Sequence, residues 1–394
     1  MKFYERKGRY KRFSYLLSTT TPPPSSLPSL LAPSLCRIIA GEMASRFLEY
    51  LPLLRVAPAN NVLVADHPYL TVFLLGVGAF TFARFLIKTL GVLAQTFVLS
   101  GKSLKKYGAG KGAWAVVTGA SEGIGREFAV QLAQKGFNVL VSARNVSRLE
   151  EVVAEIDAKL PADKKVQTKI VPMDFSRIDD AAAWTKFKSE IEHLDIGVLI
   201  NNVGRSYSMP TDFVDLTETE MDSILKINVN ATVQVTKLIV PGMVHRRRGL
   251  VISVGSFSGV SVVSPMLAVY SGTKSFLSSF SSSLAEEVKS KGVDVECLNT
   301  YFVVSNLSKI RKPSAMVPTP KVYVRSVLNK IGLPCGALFT GRPFVVTPFW
   351  SHALLDYFMN VIGWKSYYGR WTHNLHKDIR RRALRKAERE AKKQ

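Results

Sequence analysis

Tyr270-Ser-Gly-Thr-Lys274 sets a phenol and an ammonium at i and i+4, which on a helix puts both on one face. A neighbouring ammonium favours phenolate and lowers a tyrosine from its ordinary pKa of about 10. Tyr270 is therefore expected to give a proton to a carbonyl oxygen near neutral pH. Upstream, Gly255-Ser256 closes an apolar run, where a hydroxyl on a rigid strand end can orient that carbonyl. Further upstream lies Thr118-Gly119-Ala120-Ser121-Glu122-Gly123-Ile124-Gly125. This glycine-rich turn follows a β-type run and opens a helical one. In that context the glycines let a pyrophosphate approach a helix N-terminus, whose free amides favour anions. The next strand ends Val141-Ser142-Ala143-Arg144. No carboxylate stands there to bind unphosphorylated ribose hydroxyls, and Arg144 can pair with a 2′-phosphate, so the expected cofactor is NADPH.

Such groups need a rigid frame, and the pattern from Lys111 to about Val303 supplies one. Ala113–Thr118, Asn138–Ala143, Lys169–Met173, Gly197–Asn201, Leu250–Val254 and Asp294–Leu298 read as short strands. Periodic helices such as Gly125–Lys135 and Tyr270–Ser290 separate them. The alternation predicts an α/β fold, a Rossmann-like doubly wound parallel sheet in one domain over 113–303.

The flanks differ in kind. The 394 residues carry 53 Lys and Arg against 30 acids, a net charge of +23 concentrated at the ends. Residues 1–12 hold six bases and one acid, and residues 365–394 hold eleven and three. Residues 1–42 continue rich in Ser, Pro and Thr and are expected to lie outside any core, as a disordered or non-native extension ahead of Met43; a transit peptide is the competing reading. Residues 43–68 lead into Tyr69–Ala83, which has no charge. With Arg84 and Lys88 reaching to the interface, 69–88 is long enough for a transmembrane helix, which needs about 20 residues. A buried helix of a soluble domain is the alternative. Lysines at 102, 105, 106 and 111 follow in a basic linker (89–112), placing the domain on the cytoplasmic side. Residues 304–343 are expected as a proline-marked substrate loop region. The aromatic stretch 344–364 is expected as a membrane-associated segment, interfacial or re-entrant, before a basic tail (365–394). Basic ends around an apolar segment favour an anionic membrane surface; no zinc-finger or RNA-recognition signature supports nucleic acid as partner. Cys36, Cys297 and Cys335 are too few and too scattered for a disulfide framework. His373 and His376 lack further ligands, so no metal site is expected.

Taken together, these residues resemble the short-chain dehydrogenase/reductase family over roughly 113–303. The resemblance makes Thr118–Gly125 the cofactor turn, with Thr118, Gly119, Ser121, Gly123, Ile124 and Gly125 as contacts. It adds Asn201-Asn202-Val203-Gly204 (Asn201 as the contact), Asp174 on the adenine side, and Val303 to the cofactor site. It implies that Ser256 orients substrate, Tyr270 is the acid, Lys274 holds the nicotinamide ribose, and Asn228 anchors a proton-relay water. Asn228 stands thirteen residues before Pro241, which in the family ends a helix. Ser256 precedes Tyr270 by fourteen residues where thirteen is usual, so Ser258 competes for its role. Within the family, Tyr-Ser-Gly-Thr-Lys, Tyr301–Arg311, Val317–Pro320 and the basic tail are similar to the fungal microsomal very-long-chain 3-oxoacyl-CoA reductases. That similarity implies a 3-oxoacyl-CoA substrate, the endoplasmic reticulum membrane, and the other enzymes of fatty-acid elongation as partners. A 17β-hydroxysteroid dehydrogenase and a silent NADPH-binding membrane scaffold are the alternative readings.

Overall fold

Strands WAVVT, NVLVS and IGVLIN are apolar with little alternation, as strands covered on both faces must be. The computed structural model describes residues 68–161, 165–363 and 365–392. The expectations for 1–42 and for 43–67 lie outside the described residues. Seven parallel strands form one sheet in the order β3-β2-β1-β4-β5-β6-β7. They are β1 (Trp114–Thr118), β2 (Asn138–Ser142), β3 (Thr168–Ile170), β4 (Ile196–Asn201), β5 (Gly249–Val254), β6 (Val293–Leu298) and β7 (Val345–Val346). The helices in chain order are α1 (Pro68–Leu93), α2 (Gly123–Gln134), α3 (Val146–Lys159), α4 (Ala181–Ser189), α5 (Glu218–Leu225) and α6 (Ala231–His245). There follow the short α7 (Phe257–Val260), α8 (Ala268–Lys289), α9 (Pro320–Asn329), α10 (Trp350–Ile362) and α11 (Lys365–Ala391).

The period of two along a strand divides the core. Ala115 and Val117 of β1 face Phe128 and Leu132 of α2, Leu149 and Val152 of α3, and Tyr323 and Val327 of α9. Val116 between them faces the opposite layer, with Phe187 of α4, Val235 and Ile239 of α6, and Val288 of α8. The strand order reverses between β1 and β4, and the crevice at their carboxyl ends is where such sheets bind ligands.

The chain departs from expectation in four places. Helix α1 runs past Lys88 to Leu93 and continues as a π turn, Ala94–Val98; the whole of Tyr69–Val98, thirty residues of mean hydropathy 2.0, is long and apolar enough to cross a membrane. The chain parts at Ala83/Arg84 into two units. In the first, Phe73, Phe80 and Phe82 are exposed. In the second, Lys88 lies 5.5 Å above the Phe339 ring, and Val92 is fully buried. The stretch expected as a basic linker is packed down instead. Lys102 and Lys106 each reach Asp294 at 2.7 Å, as does the buried Tyr107 hydroxyl. Burial would raise Asp294, but those three hydrogen bonds outweigh it and hold its carboxyl low. The segment 344–364, expected at the membrane, is corrected in its first part: Val345–Val346 pairs with Cys297 and Leu298 as a seventh strand. Helix α10 buries Ser351, His352, Ala353 and Asp356 in the domain and leaves Phe358, Val361 and Ile362 exposed. Its polar residues are thus core contacts. Finally, Pro241 lies inside α6, which continues to His245 rather than ending there.

Candidate active site

Between β1 and α2 the chain turns on two glycines. Gly119 (φ +66°) and Gly123 (φ +59°) both occupy the left-handed region. A Cβ on Gly119 would stand 2.9 Å from Val203 Cα, and one on Gly125 only 2.2 Å from the Gly119 carbonyl oxygen. The turn is pinned to β4 from both sides. Thr118 Oγ1 accepts from the amides of Asn202 (3.1 Å) and Val203 (3.2 Å) and donates to Ile200 O (3.2 Å). Asn202 Nδ2 donates to Thr118 O (3.1 Å) and Gly119 O (2.9 Å). Among the described residues no side chain caps α2: Glu122 makes no capping bond and instead accepts from Arg148 Nη1 (2.9 Å) and Asn306 Nδ2 (2.6 Å). The amides opening α2 are therefore left for an anion, in a cradle that a Cβ would fill. This arrangement fits the diphosphate of a nicotinamide dinucleotide.

At the carboxyl end of β5, Ser256 caps α7, its Oγ accepting from Ser258 N (3.2 Å). The same hydroxyl acts on the phenol of Tyr270, in the first turn of α8, and favours its ionised form. Ser258 has no such effect on Tyr270. Gly259 lets α7 close on α8, since a Cβ there would lie 2.5 Å from the Lys274 carbonyl carbon. Lys274 is 5% exposed; its Nζ donates to Val254 O at 2.7 Å and lies 5.7 Å from the Tyr270 ring centroid. Burial pulls Lys274 down to about 8. Burial likewise raises Tyr270 above its ordinary value, and only the Ser256 hydroxyl opposes it. This reverses the expectation for Tyr270: without ligand its phenol is held protonated, because desolvation outweighs the one opposing contact, from Ser256.

Asn228 sits in a π turn, Lys226–Asn230, an irregularity frequent at functional sites. Its Nδ2 donates to Arg205 O and Thr273 Oγ1, both 2.9 Å, and its Oδ1 accepts from Arg205 N at 2.8 Å. A Cβ on Gly204 would stand 3.5 Å from Lys274 Nζ and 3.6 Å from Asn228 Oδ1, so Gly204 keeps the space between the two groups open.

A glycine turn, a strand-end serine and a tyrosine–lysine helix thus converge at the switch point of one parallel sheet, and residues 113–314 match the short chain dehydrogenase family. The chain belongs to the short-chain dehydrogenase family. It is 57% identical over 330 residues, 84% of its length and 96% of the relative's, to a very-long-chain 3-oxoacyl-CoA reductase of Laccaria bicolor. A protein of the same name from Coprinopsis cinerea is 55% identical over 342 residues, 87% of this chain and 99% of that one. Among solved structures, a 7beta-hydroxysteroid dehydrogenase superposes with a TM-score of 0.56 at 22% identity, over 66% of this chain and 97% of its own, a likeness of fold.

Within this short-chain dehydrogenase frame the expected residues divide. Tyr270, Ser256 and Lys274 are brought together, with Asn228 joined to the tyrosine helix through Thr273. Ser121 and Ile124 lie in the turn, half-buried. Asn201 turns the other way, its Nδ2 donating to Thr236 Oγ1 of α6 at 2.9 Å. Asn202 is the neighbour that holds the turn, and strand alternation from Thr118 could have singled it out. Asp174 accepts from Ser176 N (3.0 Å) and Oγ (2.7 Å) as the cap of a short turn. The Val303 carbonyl accepts from Ser308 Oγ at 2.7 Å. Arg144 is exposed, and Arg148, which no pattern singled out, stands beside the turn on Glu122.

Proposed function

We propose that the protein is a membrane-tethered reductase that uses NADPH to convert very-long-chain 3-oxoacyl-CoA to 3-hydroxyacyl-CoA. It would act at the endoplasmic reticulum with its domain facing the cytoplasm, beside the other enzymes of the elongation cycle. The observation that carries the reading is Tyr270 set between the Ser256 hydroxyl and the buried Lys274, in a chain so similar to reductases of that name.

When bound, the dinucleotide supplies a hydride to C3 of the substrate. Gly119, Ser121, Gly123, Ile124 and Gly125 would hold its diphosphate, Asp174 its adenine side, and Lys274 and Val303 its nicotinamide end, while Asn201, its side chain turned to Thr236, would offer only its backbone. Arg144 and Arg148 favour a phosphorylated ribose, since both present forked cations and no carboxylate ends β2. The remaining steps belong to the chain. Ser256 Oγ–H donates to the 3-oxo oxygen and fixes its direction. Tyr270 gives that oxygen its phenolic proton as negative charge develops, so that hydride plus proton complete the alcohol. The ammonium of Lys274 then stabilises the tyrosinate left behind. Asn228, locked to Arg205 and Thr273, holds the loop that borders the route by which a solvent proton restores the phenol. An acyl chain carried in a bilayer suits an enzyme with an apolar helix long enough to span one.

Purified protein in detergent, assayed with NADPH or NADH and 3-oxoacyl-CoAs of graded length, tests the reading. Turnover that rises with chain length and favours NADPH is expected. A higher kcat/KM for a steroid ketone would move the assignment to the hydroxysteroid dehydrogenases, and NADPH binding without turnover on any ketone would leave a scaffold. Alkaline carbonate extraction of membranes should leave the full-length protein in the pellet; release into the supernatant would rule out a spanning helix.

A further inference from the structure

Helix α11 is laid across two loops, the one after β4 and the one before α8. Gly369 meets Val263, with a Cβ there 3.4 Å from the valine. His376 Nδ1 bonds Pro265 O at 2.6 Å, and Arg380 Nη1 donates to Pro210 O at 3.0 Å. Beyond these contacts helix and loops diverge, leaving an open cleft of about 430 Å3. Its wall carries Lys377, Arg380, Arg381 and Arg385 against two carboxylates, Asp212 and Glu388. Arg380 and Arg381 have partial partners in Asp215 (3.7 Å) and Asp378. Lys377 and Arg385 make no ion pair among the described residues. The floor includes Met266, a non-glycine residue at φ +66°, tied by its carbonyl to Thr211 N at 2.9 Å. Backbone of that kind is uncommon and concentrates at functional sites. Met266 stands four residues before Tyr270, so the cleft opens beside the amino end of α8. It shares no residue with the turn at β1 that fits the dinucleotide.

We infer that this cleft holds the phosphorylated nucleotide end of the acyl carrier, an adenosine 3′,5′-diphosphate group, while its flexible thiol arm delivers the 3-oxo group to Tyr270. The inference rests on the reading of the substrate as a CoA thioester. A volume of this size lies in the range of small-ligand sites, about 300–1,000 Å3. Arginine forks match phosphate geometry, and the two cations without partners are those that gain most from an anion.

The test compares one 3-oxoacyl chain carried as its CoA thioester and as its pantetheine thioester, which has neither phosphate nor nucleotide. The full-length protein and the Lys377→Glu/Arg385→Glu double variant are assayed with both, in detergent. The double variant should raise KM for the CoA thioester by ~10–100-fold, the scale of losing one or two charge-assisted contacts, with kcat and the pantetheine kinetics within about two-fold. The Lys377→Arg/Arg385→Lys variant, which keeps both charges, should restore most of the affinity. An unchanged KM would overturn the inference. So would an equal rise for both carriers, which would mean that α11 had merely shifted. Loss of binding to phosphatidylserine vesicles with KM intact would overturn it too, by making the cations a lipid-headgroup site. Calorimetric binding of adenosine 3′,5′-bisphosphate, present in the native protein and lost in the double variant, tests the cleft even if no 3-oxoacyl thioester is reduced. The failure of the substrate reading and the failure of the cleft are thereby told apart.

Discussion

Asp356 and Lys274 are both buried in this domain, and their surroundings differ. Asp356 of α10 has no exposed surface and is saturated with donors. Arg342 Nη2 reaches both of its oxygens at 2.8 Å, Ser261 Oγ donates at 2.8 Å, Asn299 Nδ2 at 3.0 Å and Thr347 Oγ1 at 2.7 Å. Those partners come from the loop after α7, the end of β6 and the residue after β7, so one carboxylate ties the C-terminal extension to the sheet. Lys274, almost as deeply buried, has one hydrogen bond among the described residues, to a neutral carbonyl, and its proton is loosened accordingly. A charge meant to hold structure is over-supplied with partners. A charge meant to act is left short of them, so that it responds to what enters the site.

The contrast is broken most forcefully at Asp356. Asp356→Ala strands the Arg342 guanidinium and should cost ~3–5 kcal/mol of stability, as losing one member of a buried pair does. The kcat per folded molecule should stay close to native. Denaturant unfolding and active-site titration check this; a stable protein with lost turnover would make Asp356 part of the reaction. Tyr270→Phe should behave in the opposite way. It removes the proton donor, lowers turnover by at least ~10²-fold, and leaves the unfolding midpoint and cofactor binding almost unchanged. Near-normal turnover at neutral pH would end the assignment of Tyr270 as acid.

Lys274 offers a finer test, because its two pH effects have opposite signs. Burial lowers it to about 8 from an ordinary 10.5, so its ammonium is lost as pH rises through about 8. Tyr270, pushed upward by burial, keeps its proton over that interval. The kcat/KM for reduction should therefore fall by ~10-fold per unit above pH 8, as one proton leaves. Stability should move the other way. Between about 8 and 10.5 the unfolded chain binds this proton and the folded one does not, so Lys274 makes folding more favourable as pH rises. Lys274→Arg should carry the activity limb upward by holding its charge. A profile flat to pH 9.5 in the native enzyme would show that the proton state of Lys274 does not matter.

Local patterns carried much of this architecture. The strands, the turn at Thr118–Gly125 and the Tyr270–Lys274 pair are written in residues within a few positions of one another, and periodicity or spacing exposes them. What escaped reading depends on contacts across the chain. β7 is two residues long and is a strand only because Cys297 and Leu298 lie beside it. Asp356 looks like an interruption of an apolar segment until Arg342, Ser261 and Asn299 surround it. Tyr107 and Lys106 read as part of a loose basic linker because Asp294, nearly two hundred positions away, cannot be foreseen as their partner. The direction in which Tyr270 titrates was misjudged for a related reason. Spacing reveals the ammonium nearby, but the amount of protein that excludes water from both groups appears only in the packed structure.

The smallest effect separates the edge of the site from its centre. Arg144 is exposed after β2, and Arg148 is half-engaged by Glu122, so neither has the enforced geometry of Lys274. Contacts in water contribute less than buried ones, and cofactor choice should bend rather than switch. Arg144→Asp places a carboxylate where a 2′-phosphate would lie and should lower the NADPH-to-NADH ratio of kcat/KM by ~10-fold, mainly through the KM for NADPH. Raising the salt should reduce the native preference while leaving the NADH kinetics nearly unchanged, because only the phosphorylated ribose uses this charge. The double variant Arg144→Asp/Arg148→Ala should lower the ratio further if the two cations share the phosphate. An Arg144→Asp enzyme with the native ratio, and a collapse of the ratio on Arg148→Ala alone, would assign the reading of the phosphate to Arg148. The Glu122 carboxylate that now holds that guanidinium would then have to release it when the cofactor binds.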